Sequence, residues 1–336
     1  MAERDFTWHD AERTIVFRGG ALADSPEILA GGIWERFELL TTTRALGAAP
    51  VELAEQATAV HQVEPGEVPY VAAAIIDKVR NPTLVALGGG RVVDTAKAIA
   101  ALRGGRVCAI PTTLSGAEMT SGHRLPAGRE IYVRQHVRPA LVIADPFEMT
   151  TLDDHSLRAS ALNALAHGAE ALYVPSANPV ASLAALRGAE LIATALDLPA
   201  GERDRGALAL GALLCGYAVD SAGYALVHVV CQTLVRITGT PHAETYATIL
   251  PRAMELMRWR APEQIASFAH ALGVEPEEIR SRIESLGGGA RRLRDLGVSP
   301  DRLESACHAM LQRDEFANTP DSPGPEELRR LVEDAW

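Results

Sequence analysis

Lysine is nearly missing from this chain. Lys78 and Lys97 are its only lysines, and the other 30 basic residues are arginines. The bias fits a GC-rich coding sequence, which makes a lysine retained beside a glycine-rich turn, as Lys97 is, worth following. Positive charge is also scarce overall: 32 basic against 43 acidic residues give a formal charge of −11, which excludes a nucleic-acid-binding surface as the main function. The four cysteines (Cys108, Cys215, Cys231, Cys307) form no C-x-x-C pair and are far apart, so neither a zinc ribbon nor a disulfide framework is encoded, and reduced, buried thiols are expected. No uninterrupted apolar run reaches about 18 residues, and residues 1–10 are charged rather than signal-like. A soluble, cytoplasmic protein without membrane or nucleic-acid partners is expected. The G-x-G-x-x-G dinucleotide fingerprint is absent too.

What is present is a chain of 336 residues, 47% hydrophobic, enough for one large or two ordinary domains. Its first part alternates short apolar runs with helical stretches. Thr14–Phe17, Phe37–Leu40, Thr83–Leu87, Val107–Ile110 and Leu141–Ala144 read as strands, with helices over 25–34, 67–80 and 92–102. The runs lack polar alternation, as in a parallel sheet covered on both faces. From about 153 onward only helical periodicity remains: 154–173, 178–196, 205–221, 223–237, 242–257, 262–271, 275–285, 299–311 and 325–334. Gly287-Gly288-Gly289 follows no strand and reads as a helix–helix connection. The pattern predicts an α/β domain over 1–152, an all-helical substrate domain over 153–336, and a ligand cleft between them.

The segment running from Val85 through Gly88-Gly89-Gly90 to Asp94 and Lys97 takes an apolar strand through three glycines into a helix. Glycines let the backbone approach a phosphate, and a helix N-terminus offers it unpaired N–H groups. Asp94 and Lys97 share a helix face, one suited to a ribose hydroxyl and the other to a charged partner. A second strand ends in Pro111-Thr112-Thr113-Leu114-Ser115-Gly116-Ala117-Glu118, where Thr112, Thr113 and Ser115 suit phosphate or nicotinamide contacts. A third ends in Thr41-Thr42-Thr43-Arg44, where an adenosine ribose would be met. Gly88, Gly89, Gly90, Asp94, Lys97, Thr112, Thr113, Ser115 and Thr42 are the candidate cofactor residues.

In the helical part, Asn163 and His167 lie four apart on one face. His228 sits in an apolar helix, and His242 follows Pro241 at a helix start. These four are the candidate catalytic residues, able to ligate a metal or to move a proton. His9, His61, His136, His155, His270 and His308 read as surface residues.

The motifs Gly-Gly-Gly-x-x-x-Asp-x-x-Lys, Pro-Thr-Thr-x-x-Gly-x-Glu-x-Thr, Asn-Ala-x-Ala-His-x-x-Glu-Ala-Leu-Tyr and Pro-His-Ala-Glu-Thr together resemble the iron-containing alcohol dehydrogenase superfamily. Within it the chain looks most like maleylacetate reductases, through Asn163–Tyr173, Ser176–Val180 and Pro241–Pro251. The resemblance implies a Rossmann-like α/β domain followed by an all-α domain, in the dehydroquinate synthase-like or iron-containing alcohol dehydrogenase fold. It implies hydride transfer with NAD(H) or NADP(H), a small carboxylate substrate and a homodimer. It also places His167, His228 and His242 at the metal-ligand histidines, with Asn163 where the metal-dependent members carry Asp. A neutral amide weakens a divalent site, so no metal is expected to be required, although the three histidines keep donors for Zn²⁺ or Fe²⁺. Gln232 stands at a site histidine, and Tyr246 and Arg252 at two others. Thr42 stands where NAD-preferring relatives carry an acid; with Arg44 nearby, nothing repels the 2′-phosphate of NADP(H).

The resulting expectation is a reductase acting on a small oxo or hydroxy acid. His242 or His228 moves the proton, His167 and Asn163 polarise the carbonyl, and arginines of the 124–138 loop meet the substrate carboxylate. Three rivals stand beside it. They are NAD(P)-linked oxidation of a β-hydroxy acid followed by decarboxylation, a dehydroquinate synthase-like lyase cycle, and a non-catalytic nucleotide-binding homologue.

Overall fold

The computed structural model describes residues 13–129 and 136–336. The chain divides into two compact units, one spanning Ala11–Thr151 and the other including Leu152–Trp336.

The first unit is a parallel sheet of six strands: β1 (Thr14–Phe17), β2 (Glu38–Thr41), β3 (Ala59–Gln62), β4 (Thr83–Gly88), β5 (Arg106–Pro111) and β6 (Leu141–Ala144). Their order is β1-β6-β5-β4-β2-β3, and every pairing is parallel. Helices α1 (Ser25–Ile28), α2 (Thr43–Ala48), α3 (Val51–Gln56), α4 (Val68–Ile76), α5 (Gly90–Arg103) and α6 (Pro146–Met149) connect them. Successive residues of a strand face opposite sides, and β4 feeds two cores in this way. Leu84 and Ala86 pack with Val71, Ile75, Val93 and Ile99, whereas Val85 and Leu87 pack with Ala21, Leu29 and Leu53. Burying each large aliphatic side chain contributes roughly 1.5–3 kcal/mol.

Register sets the functional edge. Thr41 pairs with Leu87, Leu87 with Ile110, and Gly88 with Pro111. The carboxyl ends of β2, β4 and β5 are therefore level, and their loops leave the sheet side by side.

The strand β3 was not expected. It is a four-residue edge strand whose burial alternates, unlike the continuous apolar runs elsewhere. His61, expected at the surface, lies on it with its side chain only 10% exposed and Nε2 2.6 Å from Glu38 Oε2. Glu38 Oε1 also accepts from the backbone N–H of Arg80 and Asn81 (2.8 and 2.7 Å), tying β2 to the turn before β4. The helix expected over 25–34 is broken into α1 and a short 3₁₀ turn (Gly32–Trp34), because Gly32 takes a φ of +63°.

Every described element of the second unit is helical: α7 (Asp154–Ala171), α8 (Pro179–Asp197), α9 (Arg205–Ala222), α10 (Leu226–Thr238), α11 (His242–Met257), α12 (Pro262–Ala271), α13 (Ile279–Leu286), α14 (Pro300–Leu311) and α15 (Pro325–Ala335). Asp153, Asn178 and Asp204 cap α7, α8 and α9 by accepting from backbone N–H groups (3.0 Å each). By length and composition α8 could cross a membrane, but its apolar side packs on α9, where the two backbones nearly touch. A Cβ on Gly188 would fall 2.7 Å from the carbonyl oxygen of Gly211, and one on Gly211 would fall 2.8 Å from that of Gly188. Gly168 of α7, next to His167, is packed on Cys215 Sγ of α9 in the same way. The helix that carries the candidate residues is thus fixed by small residues at its back.

Candidate active site

In the α/β unit the candidate cofactor residues gather at the level strand ends. Gly88 closes β4 with a φ of +158°, and a Cβ there would meet Val92 at 2.6 Å. Gly89 precedes the first turn of α5, which has no side-chain cap and no acidic residue. Its free N–H groups and positive end therefore remain available to an anion. A Cβ on Gly89 would lie 3.0 Å from Thr113 Cγ2, and one on Gly90 3.0 Å from Ser115 Oγ. The loop after β5 is thus seated directly on the glycine turn. Thr112 N–H donates to Gly88 O (3.0 Å), joining the two ends. The hydroxyl of Thr113 is buried with no hydrogen-bond partner among the described residues. An orphaned donor over a glycine cradle fits a phosphate or amide group of a dinucleotide.

Four expected residues act otherwise. Lys97 is fully buried. Its ammonium is used up by Asp94 Oδ1 (2.7 Å) and by the carbonyls of Ala117 and Thr120 (3.0 Å each). It shapes the loop from inside instead of meeting a ligand, whereas Asp94 stays about one-third exposed. Thr42 Oγ1 caps α2 by accepting from Ala45 N–H (3.3 Å). Among the loop arginines, Arg124 pairs with Glu67 and Arg129 with Asp77, each at 2.6 Å. These two carboxylates flank α4 and occupy the guanidinium groups expected to meet a substrate carboxylate. Arg134 lies outside the described residues.

In the loop after β5 sits Glu118, fully buried, with no hydrogen-bond partner for either carboxylate oxygen among the described residues. Burial raises its pKa to about 7, against the pull of Lys97 and Arg13.

In the helical unit, Asn163, His167 and Glu170 follow at i, i+4 and i+7 on α7 and are all buried. His167 stacks on His228 of α10 at 4.9 Å between ring centres. His228 meets Tyr246 edge-on at 5.0 Å, and Tyr246 meets His242 at 4.6 Å, both on α11. Tyr224 covers another side of His228 at 5.0 Å. The four expected catalytic residues therefore belong to two neighbouring groups, with Tyr246 as the ring linking His228 and His242. Gln232 lies one turn beyond His228 on α10.

Burial, followed by the neighbouring His228 and His242, pushes His167 well below the ordinary imidazole range. It is neutral at neutral pH, and its Nδ1 has no hydrogen-bond partner among the described residues. Tyr246 is completely enclosed, its hydroxyl lacks a hydrogen-bond partner among the described residues, and burial pushes its pKa well up. It stays a phenol, able to donate.

Sequence reasoning passed over Glu170. Its Oε1 accepts from Val227 N–H (2.6 Å), His228 N–H (3.4 Å) and Tyr173 Oη (3.3 Å), and its Oε2 pairs with His228 Nδ1. The only sequence signal was a carboxylate three residues after His167 in an apolar helix, and its partner lies 58 residues away.

The donor set does not assemble a metal centre: among the described residues no three His, Cys, Asp or Glu groups are placed to share an ion. Asn163 brings an uncharged amide, and His167 lies face to face with His228.

Residues 13–146 match the model for iron-containing alcohol dehydrogenase, and residues 158–336 match that for the C-terminal part of the Fe-containing alcohol dehydrogenase family. Maleylacetate reductase 1 of Rhodococcus opacus is 34% identical over 81% of this chain and 78% of its own length. The maleylacetate reductase of Pseudomonas sp. strain P51 is 30% identical over 85% and 89%. Among solved structures, maleylacetate reductase from Agrobacterium tumefaciens superposes with a TM-score of 0.84 at 28% identity, covering 99% of this chain and 98% of that one. A putative alcohol dehydrogenase from Ralstonia eutropha JMP134 superposes with 0.88 at 29% identity, over the same shares. With both parts of the chain matched and the fold shared end to end, this chain belongs to the iron-containing alcohol dehydrogenase family and is an oxidoreductase.

Proposed function

We propose that the protein is an NAD(P)H-dependent reductase of maleylacetate or of a closely similar small unsaturated oxo acid. The observation that carries this reading is the identity of 30–34% with maleylacetate reductases over four-fifths of the chain. The two chemically distinct constellations support it.

The dinucleotide, when bound, supplies a hydride. Gly88, Gly89, Gly90 and the first turn of α5 hold its phosphates, while Asp94, Thr112, Thr113 and Ser115 meet ribose and nicotinamide. With no carboxylate at Thr42, both NAD(H) and NADP(H) are accepted. The helical unit handles the proton. His167, kept neutral, and Asn163 donate hydrogen bonds to the substrate carbonyl, and His228 exchanges the proton, with His242 at the exposed end of the ring series. No step passes through a metal, because the donor set does not fit one. The enzyme works as a homodimer in the cytoplasm.

The test is oxidation of NADH and NADPH with maleylacetate by protein purified without added metal, with and without a chelator, alongside elemental analysis. Turnover that survives chelation supports a metal-independent reductase. A stoichiometric bound metal without maleylacetate turnover overturns both the substrate and the metal assignment.

A further inference from the structure

The proton-transfer reading leaves open what makes one imidazole of the cluster reactive. His228 has only 6% of its side chain exposed. It is flanked by His167, Tyr224 and Tyr246, which leave the ring little freedom to rotate. Its Nδ1 faces the Oε2 of a fully buried carboxylate, Glu170, whose other oxygen is held by two backbone N–H groups and the Tyr173 hydroxyl. A carboxylate fixed by that many donors presents a single, immobile acceptor.

Capping alone does not explain Glu170. A helix start needs one acceptor oxygen, and Ser, Thr, Asn or Asp at the N-cap supplies it. Here the cap uses Oε1, and the second oxygen is aimed at the imidazole. When Nδ1–H donates to this carboxylate, the neutral ring must carry its lone pair on Nε2.

We propose that Glu170 is the positioning residue of the proton-transfer step: it holds His228 as the Nδ1–H tautomer and makes Nε2 the atom that exchanges the proton. The inference rests on the reductase reading above. In the reducing direction the hydride forms a C–H bond at the carbon–carbon double bond conjugated to the carbonyl and leaves an enolate; the Nε2–H bond of the imidazolium then breaks and an O–H bond forms on the enolate oxygen, giving an enol that returns to the ketone. The bonding pair returns to Nε2, and the two electrons arrive with the hydride of the reduced nicotinamide. Oxidation reverses each transfer.

The decisive variant is Glu170→Gln. Its carbonyl oxygen still accepts from Val227 N–H, so the cap persists, but its amide NH₂ faces Nδ1 and forces the hydrogen onto Nε2. We expect kcat to fall about 10²–10⁴-fold, the range that acid–base groups contribute. KM and the melting temperature should change little, and the pH dependence of kcat should flatten. Histidine ¹⁵N spectra of the intact enzyme, with His228 assigned by its loss in His228→Asn, should show Nδ1–H in the wild type and Nε2–H in Glu170→Gln. An unchanged tautomer, or a kcat within about threefold of wild type with the same pH profile, overturns the proposal. So does an Nε2–H tautomer in the wild type, a reading that needs no Glu170 variant to fold. Absence of maleylacetate turnover in the wild type would overturn the substrate assignment alone, since the spectra read the tautomer without substrate.

Discussion

The two units each bury one glutamate beside the candidate chemistry, and the two are treated in opposite ways. Glu170 meets four donors, three from α10 and the Tyr173 hydroxyl just beyond the end of α7. Glu118, in the loop after β5, has no hydrogen bond to either oxygen among the described residues. Burial is equal, and it is the complement of donors that differs. The helical unit aims its carboxylate at an imidazole. The α/β unit carries one that is half-protonated near neutrality. The same contrast runs through both constellations, since the α/β unit builds with backbone and glycine whereas the helical unit builds with side chains.

The largest effect should come from removing the satisfied carboxylate. Glu170→Ala strips the cap of α10 and leaves Nδ1 of His228 without its acceptor. Stability should fall by about 3–5 kcal/mol, the usual cost of breaking a buried pair, read as a lower urea midpoint, together with near-complete loss of turnover. An effect below about 1 kcal/mol would show that the donor set around Glu170 is not what it appears from its geometry.

The unsatisfied carboxylate should answer to pH instead. Glu118 has its pKa raised from the ordinary 4.5 to about 7 in the folded protein. The folded state therefore holds the proton more tightly than the unfolded chain. The stability this provides is complete below about pH 4.5 and is lost as pH rises through about 7. The loss amounts to about 3 kcal/mol, most of it by about pH 8. Glu118→Gln should abolish this part of the pH dependence and be the more stable protein at about pH 8. Parallel stability curves for the two proteins would refute the assignment.

A smaller change is expected at Thr113. Thr113→Val removes a hydroxyl that has no partner among the described residues and should not lower the melting temperature. If that hydroxyl serves the cofactor, the Kd for NADPH rises about three- to tenfold, the worth of one hydrogen bond, measured by fluorescence titration. The smallest effect belongs to Arg129. Its pairing with Asp77 is largely exposed, so Arg129→Ala should cost less than about 1 kcal/mol and leave KM for a carboxylate substrate unchanged. A tenfold rise in KM would return Arg129 to the substrate.

The fold was legible where one physical signal dominated. Continuous apolar runs marked the covered parallel strands, and Pro, Gly and Asp punctuated the helical half almost to the residue. The alternating edge strand β3 carried too little apolar sequence to be seen, and the helix over 25–34 was overextended because the left-handed Gly32 was not weighed. In the site, Asn163 and His167 were legible because their spacing lies within one helix. Glu170 was not, because its meaning depends on His228, which only tertiary folding brings near. Lys97 was noticed for the right reason, its retention in an arginine-rich chain, but the sequence could not reveal that its partners are carbonyl oxygens of the chain itself.

The burial of Lys97 has a practical consequence. With that ammonium sealed inside α5 and Lys78 exposed at the far end of α4, the protein presents a single lysine side chain to amine-directed reagents. An activated ester at moderate pH should attach one dye or one crosslinker arm per chain through Lys78 among its lysines. With all four cysteines buried and their thiols made less acidic, maleimides offer no rapid competing handle. A chain that spends almost all its positive charge on arginine thereby offers a single reactive lysine side chain for covalent labelling.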